Sequence, residues 1–354
     1  MHRGIWRLSA AILFGATVVQ AQQATTAGQI VFDTVHAKSL EKNLYGDSPD
    51  RSMMVYLPPS YTTSPNQRYP VIYLLHGYGG TESEWRGLAP LRPAMDTLVA
   101  AGIVREMIVV MPNGRNALDG SFYTNSATTG NWDDFIAKDL VSFIDHKYRT
   151  IARPESRGLA GHSMGGYGTF AVGMRHAGDV FGALYALSGC CTRVNSDPGT
   201  GATWNAIANV HSLAEARQLP FYPKVTLALA AAFSPNPNAP PLYANLPFVK
   251  NGDKWESVSA VQRQWVEHAP YDMIATHASQ LKRLRGLMFD VGTSDQLVAP
   301  SSLAAMDTAL TRAGVRHVFE TYDGDHTNRI AARLAARLLP FFSQTLDFGD
   351  GVRR

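Results

Sequence analysis

Cysteine is nearly absent from this chain of 354 residues: Cys190 and Cys191 are its only two, and they are adjacent. No disulfide framework can staple the fold. Bridging two neighbours closes a distorted eight-membered ring, so the pair reads as two reduced, partly buried thiols, with a vicinal bridge as the alternative. No Cys/His spacing resembles a zinc site. The run Asp323-Gly324-Asp325-His326 is only a faint metal-like cluster, and no metal is expected. Long hydrophobic runs are equally scarce. Only Leu8–Val19 stands out, preceded by His2, Arg3 and Arg7 and followed by the small-residue cleavage site Val19-Gln20-Ala21. Residues 1–21 therefore read as a secretory signal peptide, with a retained anchor as the alternative, since the apolar run is too short to span a bilayer comfortably. The remainder, 22–354, is expected to be soluble, secreted or periplasmic, and without stable membrane insertion.

Charge of one sign is lacking as well. The formal net charge is +3, with 17% charged and 45% hydrophobic residues; removal of Arg3 and Arg7 with the leader lowers it further. Nothing points to nucleic acid, and the composition is that of a globular core rather than a disordered chain. There is no internal repeat, and the length suits a single α/β domain with insertions.

What is present is an alternation of strand and helix patterns. Gln29–Ala37 and Arg51–Leu57 read as early strands, the second closed by Pro58-Pro59. Tyr69–Leu75, Glu106–Met111, Gly158–Ala160, Phe181–Leu187, Gly286–Val291 and Arg316–Tyr322 follow. Several of these runs are continuously apolar, as strands covered by helices on both faces require. Helical patterns lie between and after them: Pro93–Ala101, Trp132–Tyr148 with Asn131 as its expected cap, Tyr167–Arg175, Pro300–Arg312 and Asn328–Phe342. The expected fold class is α/β, with a mostly parallel central sheet and helices on both faces.

The interval from about 192 to 284 breaks this alternation. Phe233–Pro247 carries five prolines and can be neither regular helix nor inner strand. Phe233, Leu242, Tyr243, Leu246, Phe248, Trp255 and Trp265 are too apolar for a solvated linker. A packed, cap-like insertion near the carboxyl edge of the sheet is expected rather than a bland surface excursion.

The chemistry centres on Gly161-His162-Ser163-Met164-Gly165, a Gly-x-Ser-x-Gly pentapeptide between a strand and a helix. A sharp turn there lifts the serine hydroxyl above the sheet edge, and the glycines relieve collisions with the facing elements. With 30 Gly in the chain, the pentapeptide alone is weak, and a Gly-rich turn without chemistry is the alternative. Partners decide between them. A serine hydroxyl needs a base, and the base needs an orienting carboxylate. In the order Ser, acid, His, the loop after Gly286–Val291 offers Asp295 and the loop after the last strand offers His326. His317 lies within a strand pattern, Asp290 inside its own strand, and Asp323 and Asp325 are candidates for orienting the His326 loop. His162 reads as structural. The oxyanion of the intermediate needs amide donors; Met164 follows the nucleophile, and Tyr78 sits in the Gly-rich loop His76-Gly77-Tyr78-Gly79-Gly80. That loop is followed by no Gly-Lys-Ser/Thr and forms no Gly-x-Gly-x-x-Gly, so nucleotide binding is not expected.

Four ordered motifs, Leu74–Gly80, Phe135–Leu140 with Tyr148–Thr150, Arg157–Gly168, and Gly292–Asp295 with His326, resemble the esterase D-like α/β-hydrolases. That family includes formylglutathione hydrolases, feruloyl and acetylxylan esterases and, more distantly, mycolyltransferases. The resemblance covers roughly 53–187 and 287–342. It implies an α/β-hydrolase fold, Ser163 as nucleophile, His326 as base, Asp295 as acid, and Tyr78 and Met164 as oxyanion donors. Ser121–Ser126 and Trp132 resemble the family's pocket-lining segments, which makes Phe122, Tyr123 and Trp132 the expected substrate-binding side chains. No cofactor is implied. The function expected is serine carboxylester hydrolysis on small-molecule or polysaccharide-linked feruloyl, acetyl or other short-chain esters. Acyl transfer to an alcohol or sugar is the alternative, and a non-catalytic binding protein on the same fold is a third reading. The oligomeric state is not legible.

Overall fold

Five consecutive apolar residues, Val71–Leu75, are all buried. Val71, Tyr73 and Leu75 enter one core, while Ile72 and Leu74 enter the other. A strand buried on both faces must be an inner strand between two helical layers. The computed structural model, which describes residue 1 and residues 27–194 and 197–349, shows that arrangement. The expected leader, apart from Met1, lies outside the described residues.

Eight strands form the main sheet: β1 (Gln29–His36), β2 (Asp50–Leu57), β3 (Val71–Leu75), β4 (Ile108–Pro112), β5 (Arg157–His162), β6 (Ala183–Leu187), β7 (Gly286–Gly292) and β8 (Val318–Tyr322). Their order across the sheet is β1-β2-β4-β3-β5-β6-β7-β8. β2 runs antiparallel to both neighbours, and every pairing from β4 to β8 is parallel. All eight expected strands are present, with ends moved by a few residues.

The helix Met164–Arg175 and the run Trp132–Asp134, Phe135–Leu140 and Val141–Lys147 cover one face. Leu91–Ala100 and the run Ile330–Arg333, Leu334–Leu338 and Leu339–Thr345 cover the other, with Met95, Ile330, Leu338 and Phe342 in its core. The middle segments Phe135–Leu140 and Leu334–Leu338 are π-helical, a widening that periodicity alone does not signal. Asn131 makes no side-chain capping bond. Asn125 takes that role from across a short hairpin, its Oδ1 accepting from the Asp134 amide at 3.0 Å.

The interval after β6 is packed rather than a solvated excursion. It contains the helices Ala202–Ala208, Leu213–Arg217, Phe221–Phe233 and Ser259–Glu267 and the hairpin Phe248–Asn251/Lys254–Ser257. The proline-rich stretch follows the end of Phe221–Phe233, as its composition requires. Trp204 packs on Phe248 (4.8 Å between centroids) and Phe233 on Trp265 (5.8 Å). Pro270–Leu281, the last helix of the expected 192–284 interval, buries Met273 and Ile274 in the core that also takes in the helix after Ser163.

Asp290 is fully buried in β7, where its carboxylate accepts from Tyr185 Oη (2.7 Å) and Arg333 Nε (2.8 Å). Burial raises its pKa against the opposing pull of Arg333. Arg333 also pairs with Glu320, so loss of the Asp290 carboxylate leaves it partnered and removes the buried hydrogen bonds from Tyr185 and Arg333. Asp290→Ala is therefore expected to destabilise the fold by about 1–3 kcal/mol in urea unfolding; no measurable loss would show that Glu320 and water satisfy the groups left behind.

Candidate active site

Parallel strands deliver their following loops to one edge, and all the candidate residues lie there: the 76–80 loop after β3, Ser163 after β5, Cys190 after β6, Asp295 after β7 and His326 after β8. Ser163 has φ +57° and ψ −115°, a left-handed conformation that costs a non-glycine residue about 1–3 kcal/mol. Crowding imposes it. A Cβ at Gly161 would stand 2.4 Å from Gly165 O, and one at Gly165 would stand 2.4 Å from Leu75 O. The turn is braced by the Ser163 amide donating to Leu187 O (3.0 Å) and by Tyr167 N and Cys190 N donating to Ser163 O (2.9 and 3.2 Å). From residue 156 to residue 174, Ser163 alone is not buried.

β7 and β8 pair in register, Gly292 opposite Tyr322. The loops beyond them stay together: Thr293 N donates to Tyr322 O (2.8 Å) and Ser294 N to Gly324 O (3.0 Å). This brings His326 Nδ1 to 2.8 Å from Asp295 Oδ2. A carboxylate only accepts, so Nδ1 carries the hydrogen and, in the neutral ring, Nε2 keeps its lone pair for a proton. Asp295 Oδ1 accepts from the amides of Leu297 (2.9 Å) and Val298 (2.8 Å). Burial opposes ionisation of Asp295, but the hydrogen bonds from His326 and these amides outweigh it and hold its pKa below the usual carboxylate value.

The rivals are engaged elsewhere. Asp325 accepts from Thr327 N and Asn328 N, both at 2.8 Å, and shapes the loop rather than the ring. His317 bonds Asp307 (3.0 Å) and stacks on Phe289. His162, expected as merely structural, has a more specific position: its Nε2 donates to His326 O at 2.8 Å, and the two rings lie 4.6 Å apart.

The Gly-rich loop is held just as tightly. His76 is fully buried, with Nδ1 donating to Gly77 O (2.7 Å) and Nε2 accepting from Gly114 N (2.8 Å). Glu84 Oε1 accepts from Gly77 N (2.9 Å), and burial raises its pKa. A Cβ at Gly77 would lie 3.6 Å from Ser163 Cβ, so the loop runs directly against the serine. Among the described residues, the Tyr78 amide makes no backbone hydrogen bond, and Met164, as the first helical residue, has no intrahelical acceptor. Two unengaged amides flanking an accessible serine can receive an oxyanion. The 116–120 segment supports them: Gly79 N donates to Asp119 O (2.9 Å), Tyr78 Oη to Leu118 O (2.5 Å), and Lys224 of the cap pairs with Asp119 (3.0 Å). Glu84 and Asp119 went unassigned in the sequence: Glu84 binds a main-chain amide, Gly77 N, and Asp119 pairs with Lys224 more than a hundred residues away.

Phe122, Tyr123 and Trp132 are not exposed to a ligand. All three are at most 1% accessible. Tyr123 Oη donates to His76 O (3.0 Å), Trp132 Nε1 to Thr129 O (2.8 Å), and Phe122 packs between Tyr78 and Phe233. They form the packing behind the site. Open space lies instead under the cap, in a cavity of about 340 Å³ whose wall includes Cys191, Arg193, Trp204, Leu229, Phe233 and Trp265. Cys190 and Cys191 are free thiols; Cys191 lines this cavity, and the Cys190 amide donates to Ser163 O. Among the described residues no cluster of His, Cys, Asp or Glu can hold a metal, and no helix is long and apolar enough to cross a membrane.

A family model described as "Putative esterase" matches residues 48–336. The endo-1,4-beta-xylanase/feruloyl esterase of Xylanibacter ruminicola is 35% identical over 141 residues, 38% of this chain and 19% of that protein. Esterase Rv1288 of Mycobacterium tuberculosis is 35% identical over 128 residues, 35% of this chain and 26% of its own length. The chain thus spans about a fifth to a quarter of these curated relatives. A solved ferulic acid esterase superposes with a TM-score of 0.64 at 24% identity, covering 91% of this chain and 99% of the other. The architecture is accordingly the α/β-hydrolase fold.

Burial pushes the pKa values of His76, His162 and His268 down to about 4, about 3 and about 4. Unfolded, each imidazole takes a proton near pH 6.5; folded, none does until the pH is much lower. The unfolded state therefore binds more protons between about pH 6.5 and pH 4, and stability falls as pH is lowered through that window, by about 4 kcal/mol per unit where all three differ. Urea unfolding at pH 7 and pH 5 measures this, and equal stability at both would show that the three rings ionise within the fold.

Proposed function

The chain belongs to this esterase family, and we propose that it hydrolyses carboxylic esters through Ser163, His326 and Asp295. The observation that carries the reading is the buried His326–Asp295 hydrogen bond at 2.8 Å, braced by the residue next to the one accessible serine of the turn. Ser163 Oγ attacks the acyl carbon while His326 Nε2 takes its proton. Asp295 keeps the ring in the required tautomer and stabilises the imidazolium. The carbonyl oxygen, now an oxyanion, accepts from the amides of Tyr78 and Met164. Collapse of the intermediate passes the proton from His326 to the departing alcohol, and water, activated by the same ring, resolves the acyl-enzyme. No step calls for a cofactor.

Acyl transfer to an alcohol or sugar would differ only in what replaces that water, and product analysis with an added acceptor separates the two. The names of the relatives favour hydroxycinnamoyl esters attached to polysaccharide, and the aromatic wall of the cap cavity suits a ring. Secretion or periplasmic export rests on the sequence of residues 1–21 alone.

Ser163→Ala and His326→Ala are each expected to lower kcat by several orders of magnitude and to abolish labelling by a fluorophosphonate. A loss of only a few-fold would remove these residues from the mechanism, and an unlabelled but folded wild-type chain would favour a binding protein. Asp295→Asn is expected to cut kcat at least about a hundredfold with the fold intact; an unchanged rate would transfer its role to Asp323 or Asp325. Initial rates on methyl ferulate beside p-nitrophenyl acetate, butyrate and octanoate test the acyl group. Preference for the ferulate is expected, and indifference to it in favour of short chains would make the enzyme a general or acetyl esterase.

A further inference from the structure

Cys190 and Cys191 take no part in the chemistry above, yet they stand at its edge. The Cys190 amide donates to Ser163 O at 3.2 Å, and Cys191 lines the cap cavity. The Cys191 thiol donates to Cys190 Sγ across 3.0 Å. Cys191 has φ +57°, a conformation uncommon outside glycine and polar turn residues. Sharing a hydrogen bond with the Cys191 thiol, together with burial, raises the Cys190 thiol well above its ordinary pKa. Two otherwise unused thiols therefore converge between the serine turn and the cavity.

We propose that Cys190 and Cys191 are a modification site, forming a reversible vicinal disulfide by exchange with a low-molecular-weight disulfide and thereby altering the backbone support of Ser163. Cys191, on the cavity side, attacks the small disulfide as the thiolate and releases one small thiol. Cys190, giving up its proton, attacks Cys191 Sγ of the mixed disulfide and releases the second. Both protein thiols are oxidised, one small disulfide is reduced to two thiols, and the protein's two protons leave with them. The sulfurs already touch, so closure needs little side-chain movement. Adjacent trans-linked Cα atoms stand about 3.8 Å apart, below the usual disulfide span, which makes the bond strained and readily reduced again. Closing the ring changes the backbone torsions of Cys190, whose amide braces Ser163 O, and shifts Cys191 at the cavity wall. The effect on rate rests on the esterase reading; formation of the bond does not.

The test equilibrates the full chain with oxidised and then reduced glutathione, followed by intact-mass and peptide analysis and by initial rates on p-nitrophenyl butyrate. The expected result is the loss of two hydrogen masses confined to the 190–191 peptide and reversed on reduction. KM should change at least about threefold in step with it, and Cys190→Ser and Cys191→Ser should show neither effect. No such mass loss, or only a stable glutathione adduct, overturns the proposal, as does a bond that forms with kcat and KM unchanged. A bond that forms in a chain hydrolysing no ester overturns the effect on catalysis and locates the failure in the esterase reading.

Discussion

The contact on which the rest of the site depends is the close approach of the turn 161–165 to the end of β3. Neither Gly161 nor Gly165 has room for a methyl group, because backbone of the turn itself and of Leu75 occupies that space. The chain can turn there only by forcing Ser163 to positive φ. An isolated peptide would relax from that conformation. Here β5 is held between β3 and β6, and the buried helix Met164–Arg175 follows at once. The strain at one residue is offset by packing on both sides of it, and the one group left accessible is the serine.

The same sheet carries the other partners to that point. Parallel pairing of β7 with β8 sets the loops of Asp295 and His326 side by side, and main-chain hydrogen bonds keep them in step beyond the strands. His162 closes the circuit by binding the carbonyl of His326. The imidazole is thereby fixed at its Nδ1 by a carboxylate and at its backbone by the serine turn. Groups held in this way need little reorganisation when charge develops.

The interval after β6 packs on itself and reaches the Gly-rich loop 76–80. Its aromatic residues bury one another, which answers their excess in a proline-rich interval, while Lys224 reaches down to Asp119, whose carbonyl holds Gly79. The three aromatics expected to face the substrate are behind the site instead. The expectation for Phe122, Tyr123 and Trp132 rests on resemblance to the family's pocket-lining segments. Their burial is not legible there, because it depends on distant partners: Phe122 packs on Tyr167 and Phe233, and Trp132 lies under Arg51.

The alternating α/β order, the eight strands, the serine turn and the acid and histidine candidates were legible in the chain. Each of these depends on residues close in the chain: continuous apolar runs, glycines where a Cβ cannot fit, and polar residues just past strand ends. Long-range packing alone shows that His162 binds the His326 carbonyl, that Phe122, Tyr123 and Trp132 are buried, and that a cavity lies beside Cys191. Those outcomes depend on pairs separated by tens to hundreds of residues. Strand register and burial by distant elements choose among such pairs, and no local pattern in the chain records that choice.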